Sequence, residues 1–253
     1  MKKTGWIAVF LLSISIFMIS LGLIIYFNYP KENTSKKYIE TTSNNVTSTI
    51  KSSLADNHSI NWKKLKKHNS DVYAWIYVPN TKVDYPVLQA TPEETDGFYL
   101  DHNLDKKYEF AGSIYSEMQT NKDFTDPVSV LYGHNMKNGS MFNTLHRFEN
   151  SKFFKKNDKI YIYLPKRRLT YKIYSAYVYD DRHILNSFDF TDEKILKAYQ
   201  KFTMKPDSIN RNYRKVKLNK ESKILTLSTC TNGNNDETRY IVQGVLVKNE
   251  ETE

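Results

Sequence analysis

The chain reads as a mainly β domain, a closed barrel or sandwich, carried behind a segment long enough to cross a membrane. Three observations predict this. Eight short runs rich in Tyr, Val, Ile and Thr lie between Val72 and Val247, each bounded by Asn, Asp, Gly or Pro. Only one stretch there has clear helical periodicity. Residues 6–28 contain no charged side chain.

The elements follow in order. Residues 1–5 form a short tail with Lys2 and Lys3. Residues 6–28, about 23 of them, suffice for a helix at ~1.5 Å per residue across a ~30 Å hydrocarbon core. Trp6 and Tyr26 sit near its ends, where aromatic belts lie. A cleaved signal peptide would be shorter and would end in an A-x-A-like site, which is absent, so an uncleaved anchor is expected. Lys31, Lys36 and Lys37 nearly balance the positive-inside count, and the short tail favours an inside N-terminus with the domain outside. Residues 29–57, rich in Ser, Thr, Asn and Lys, read as a stalk.

The domain then spans 58–250. Trp62 and Leu65 suggest a short amphipathic helix over about 59–69. The expected strands are 73–78, 82–89, 112–117, 128–133, 159–164, 169–179, 223–229 and 239–247. The single clear helix covers about 191–203. Thr191 is placed to cap it, Asp192 and Glu193 suit its positive end, and Ile195, Tyr199 and Phe202 share a face.

Composition removes several functions. Eight glycines leave no G-x-G-x-x-G and no Walker sequence, so no nucleotide cofactor is expected. One cysteine excludes an internal disulfide and a multi-cysteine zinc site, and no metal is expected. The net charge is +9, much of it local: Arg147 to Lys172 holds nine Lys and Arg against Glu149 and Asp158. A second basic stretch runs from Lys205 to Lys220. Such a face attracts anionic polymers or lipid, yet its plain reading is a solvated surface around a β-hairpin. No zinc-finger, RNP or basic-helix pattern supports nucleic acid.

One constellation carries chemistry. In an extended strand Ile224, Thr226, Ser228 and Cys230 share a face, and a polar loop follows, so Cys230 sits at a strand end. The next strand opens at Arg239. If the two form a hairpin, the thiol and the guanidinium meet across its mouth, where the cation lowers a thiol pKa and offers donors to an oxyanion. Of the six histidines, only His134 ends a strongly hydrophobic strand, after Gly133. The other five stand in charged or linker surroundings and are expected to be solvated. A thiolate attacks a carbonyl to give a thioester, a His protonates the leaving amine, and an Arg steadies the oxyanion. At ordinary pKa values of 8.5 and 6.5, under ~1% of molecules at pH 7 hold thiolate and imidazolium together, if the two titrate independently. Asn135 and Asp236 lie nearby in sequence, without a geometry to assign them a part.

These residues resemble a class B sortase. The resemblance rests on Thr226-Leu227-Ser228-Thr229-Cys230, on Arg239 opening the last strand, and on Leu131-Tyr132-Gly133-His134-Asn135-Met136. The stretch from Asp71 to Gln89 is similar to the family's first strands, and the likeness covers about 70–247. It implies an eight-stranded β-barrel with Cys230 as nucleophile, His134 as general acid/base and Arg239 as oxyanion partner. It implies further that the enzyme cleaves a C-terminal sorting signal in secreted proteins and passes the acyl group to a peptidoglycan amine. The helix before the Cys strand and the helical lead-in favour class B over class A. An L,D-transpeptidase places its His close before its Cys, whereas here they are 96 residues apart; papain-like hydrolases place Cys before His. A non-enzymatic rival is a stalked β-module that binds wall polymer or a protein partner, with Cys230 merely buried.

Overall fold

The computed structural model describes residues 11–21, 39–40, 58–232 and 237–252. The chain divides into two units, residues 1–34 and 35–253. In the first, residues 11–21 are helical with exposed side chains. Among the described residues no helix is long and apolar enough to cross a membrane. The flanks of the expected anchor, 6–10 and 22–28, lie outside the described residues. So does the expected stalk, except Ile39–Glu40 (β1), which pairs antiparallel with Ser59–Ile60 (β2).

The second unit is built on β3 (Val72–Tyr77), β4 (Asp84–Gln89), β5 (Ile114–Ser116), β6 (Val128–Tyr132), β7 (Lys159–Leu164), β8 (Arg167–Asp180), β9 (Arg211–Tyr213), β10 (Ile224–Cys230) and β11 (Thr238–Glu251). Their order in the sheet is β11-β10-β6-β5-β4-β3-β7-β8-β9, and β8 also pairs with β11. That last pairing closes eight strands into a barrel and removes their free edges. The eight are those the sequence predicts. The ninth, β9, pairs with the upper part of β8 and was not expected.

Burial explains why strict polar alternation is absent. β3 is buried at five of its six positions. Ala74 and Ile76 belong to the barrel interior, while Val72 and Trp75 join a second cluster with Leu65 and Tyr99. Leu65 is the buried residue of α1 (Trp62–His68), which Asn61 caps by accepting from Lys64 N. Two short helices, α2 (Ser151–Lys156) and α3 (Ile184–Ser187), sit at connections.

The opposite outer face packs under α4 (Glu193–Met204). Leu196 and Tyr199 meet Val128, Val130, Ile224 and Ile241 there. Gln243, fully buried, ties this layer: its amide donates to Tyr199 and Thr226, and its oxygen accepts from Tyr177. The cap of α4 is a correction. Asp192, not Thr191, accepts from Lys194 N and Ile195 N, while the Thr191 hydroxyl turns to Asp189. A carboxylate facing the helix N-terminus is the stronger partner, because it gains from the dipole as well as the hydrogen bond.

Candidate active site

Two strand pairings assemble the site. β10 and β11 form an antiparallel hairpin in which Cys230 and Arg239 are direct partners. A 2.8 Å hydrogen bond between the hydroxyls of Thr231 and Thr238 closes its mouth. β10 also runs parallel to β6, with Ser228 opposite Tyr132. Two residues further on, Cys230 ends β10, and His134 stands just past the end of β6. The chains are still joined there, since Gly133 N donates to Ser228 O at 3.2 Å. The three residues singled out in the sequence therefore share one end of the barrel. All three are partly buried. Nη1 of Arg239 donates to Thr238 O at 3.1 Å.

Two glycines make this packing possible. A side chain at Gly133 would run into Ile114 and Phe142. Gly112, at φ +55, lies so close to the carbonyl of Leu100 that any side chain would displace it. That carbonyl is the acceptor of His134. Nε2 lies 2.9 Å from Leu100 O, and a carbonyl only accepts, so Nε2 carries a hydrogen. In the neutral ring Nδ1 is then the nitrogen that takes up a proton.

The Phe110 ring stacks on His134 at 5.3 Å. Burial holds the His134 pKa below its ordinary 6.5, against the smaller opposing pulls of Leu100 O and Asp101. The unfolded chain thus binds more protons at this site just below pH 6.5. Stability is retained above 6.5 and falls as the pH drops towards the folded pKa. Phe110→Ala uncovers the ring, so an NMR titration of the His134 ring should move upward, towards 6.5. An unmoved or lower titration would show that Phe110 does not desolvate it.

The structure gives contacts to Asn135, which the sequence names without a part, and adds residues that sequence reasoning missed. Nδ2 of Asn135, the residue after His134, donates to Cys230 O at 3.2 Å and to Thr231 O at 3.3 Å, and contacts Asn232 Oδ1 at 3.0 Å. Asn143 Nδ2 donates in turn to Asn135 Oδ1 at 2.7 Å. His146, expected to be solvated, is a correction: its side chain is 8% exposed and its Nε2 lies 3.0 Å from Cys230 O. The i, i+3 spacing of His146 and Glu149, flanked by Leu145 and Phe148, was the available local signal. Asp236 lies outside the described residues.

A closed barrel brings a part-exposed thiol, an imidazole just past the end of the adjoining strand and a guanidinium opposite the thiol to one end, and these are the groups a cysteine transpeptidase uses. Comparisons with known proteins agree. The sortase domain model matches residues 76–247. Sortase B of Listeria monocytogenes is 30% identical over 192 residues, 73% of each chain. The structure of Clostridium perfringens sortase B aligns with TM-score 0.63 and 31% identity, over 74% of this chain and 99% of that one. A Streptococcus pyogenes class B sortase involved in pilus biogenesis aligns with TM-score 0.61 and 28% identity, over 74% and 98%. The chain belongs to the sortase family, and within it to class B.

Proposed function

We propose that this sortase is anchored in the cell membrane through residues 6–28, with its catalytic domain outside, and that it joins secreted proteins to the peptidoglycan of a Gram-positive wall. The observation that supports the catalytic reading is the register of Cys230 opposite Arg239, with His134 two residues past Tyr132, the partner of Ser228 on the parallel strand.

The chemistry runs in two halves. His134 takes the proton of the Cys230 thiol at Nδ1. The thiolate sulfur attacks the carbonyl carbon of the scissile amide in a C-terminal sorting signal, and the carbonyl electron pair moves onto oxygen. Arg239 donates to that oxyanion. The oxyanion collapses, the C–N bond breaks, and His134 returns its proton to the leaving amine. The product is a thioester on Cys230. A peptidoglycan amine then attacks the same carbon and His134 takes its proton; the oxyanion collapses, the C–S bond breaks, and His134 passes the proton to the departing Cys230 sulfur. One amide is exchanged for another, with no cofactor or metal taking part.

The test is intact-protein mass spectrometry after mixing the protein with a library of sorting-type peptides. A mass increase equal to the acyl fragment is expected, located on Cys230 and discharged by hydroxylamine. No adduct with any peptide, or one that maps elsewhere, overturns the reading.

A further inference from the structure

Carbonyl groups two residues apart on a strand point the same way. Ser228 O faces β6 and accepts from Gly133 N. Cys230 O therefore faces the same side, past the end of β6 at Tyr132. Its partners are two side chains, Asn135 Nδ2 at 3.2 Å and His146 Nε2 at 3.0 Å.

His146 comes from neither strand. It is carried by the 3-10 turn Asn143–Glu149. Its ring stacks on Tyr240, the residue after Arg239, at 4.6 Å and 23°. Its Nδ1 lies 2.5 Å from a Glu149 carboxylate oxygen, which only accepts, so Nδ1 carries a hydrogen. Nε2 faces an acceptor, Cys230 O, and a donor, Asn135 Nδ2, 3.2 Å away. Either contact fixes the strand end: Nε2 donates to Cys230 O, or it accepts from Asn135 Nδ2 and steadies the amide that donates to Cys230 O.

One buried imidazole thus touches the backbone of Cys230, the residue next to His134 and the residue next to Arg239. We infer that His146 is a positioning residue, fixing the end of β10 so that the thiol keeps its place relative to His134 and Arg239. The inference rests on the roles proposed above for those three. It does not require His146 to touch the substrate. An error of about 1 Å in such a placement costs on the order of 10²-fold in rate.

The test compares His146→Gln with His146→Asn in the sorting-peptide cleavage assay, using the full-length protein. The Gln amide nitrogen reaches where Nε2 stood, and the Asn amide is one methylene shorter. His146→Phe keeps the stack on Tyr240 and removes both ring nitrogens. The expected result is near-parental kcat for Gln. Asn and Phe should lose kcat by about 10- to 100-fold with KM little changed and cooperative unfolding retained. Gln and Asn with equal rates overturn the inference, as does Phe turning over within about twofold of the parent. Should Phe fail to fold, the Gln and Asn pair still decides. Failure of the underlying assignment shows separately, as turnover by a chain lacking the Cys230 thiol.

Discussion

Cys230→Ala should cleave no sorting peptide and form no acyl adduct, while unfolding as cooperatively as the parent. The fold is expected to survive because the groups that hold this strand end are backbone groups. Cys230 pairs with Arg239 through the hairpin ladder, and its carbonyl is held by Asn135 and His146. None of these needs the thiol. The side chain is partly exposed, so Ala gives up little packing. The activity is expected to vanish because the thiol is the chain's one cysteine. Removing a nucleophile from an acyl-transfer enzyme costs on the order of 10⁶-fold. Chromatography of the peptide products measures it. Cleavage by the Ala variant at a rate comparable to the parent would refute the assignment of Cys230.

What the sequence discloses and what it conceals follow from the range of the interactions involved. The eight barrel strands are legible because each is a run of Tyr, Val, Ile and Thr cut off by turn formers, and those are local properties. The meeting of Cys230 with Arg239 is legible for the same reason: eight residues between two strands leave little choice but a hairpin. β9 is not legible. Arg211, Asn212 and Tyr213 form a three-residue strand in a basic stretch, and its pairing with β8 depends on tertiary placement. The parallel pairing of β6 and β10 is likewise invisible in local pattern, since the strands lie far apart in the chain. His134 stands out by its strand end, but nothing local in the chain brings it towards Cys230; the β6–β10 pairing does.

His146 shows the limit most clearly. Its neighbours Arg147 and Glu149 suggest solvent. Its burial comes from Tyr240 and from the carbonyl of Cys230, each more than 80 residues away. A residue's charge surroundings along the chain say little about its surroundings in space when a turn folds it against a distant strand. The same holds for Asn135, whose contacts with Cys230 and Thr231 only the fold reveals.

Arg239 offers the second large effect, and it separates two roles proposed for one cation. A guanidinium acts on a neighbouring thiol through its charge, and on a tetrahedral oxyanion through directed N–H donors. Lys keeps the charge and loses the planar fork. Arg239, the second residue of β11, lies between Cys230 on one side and Tyr179 of β8 on the other, so its backbone is fixed by two ladders. It is part-buried, and Nη1 already donates to Thr238 O. A side chain anchored in this way is aimed, and aim is what the oxyanion needs. Arg239→Lys is therefore expected to lose about 10²-fold in kcat, the effect of deleting one oxyanion donor. Arg239→Ala should lose at least as much. The control is the rate of Cys230 alkylation by a small electrophile at one fixed pH, which should change little in Arg239→Lys because the positive charge remains. An active Arg239→Lys would show that charge alone matters. Arg239→Ala cleaving peptide as fast as the parent would remove Arg239 from the chemistry and leave it an ordinary strand arginine.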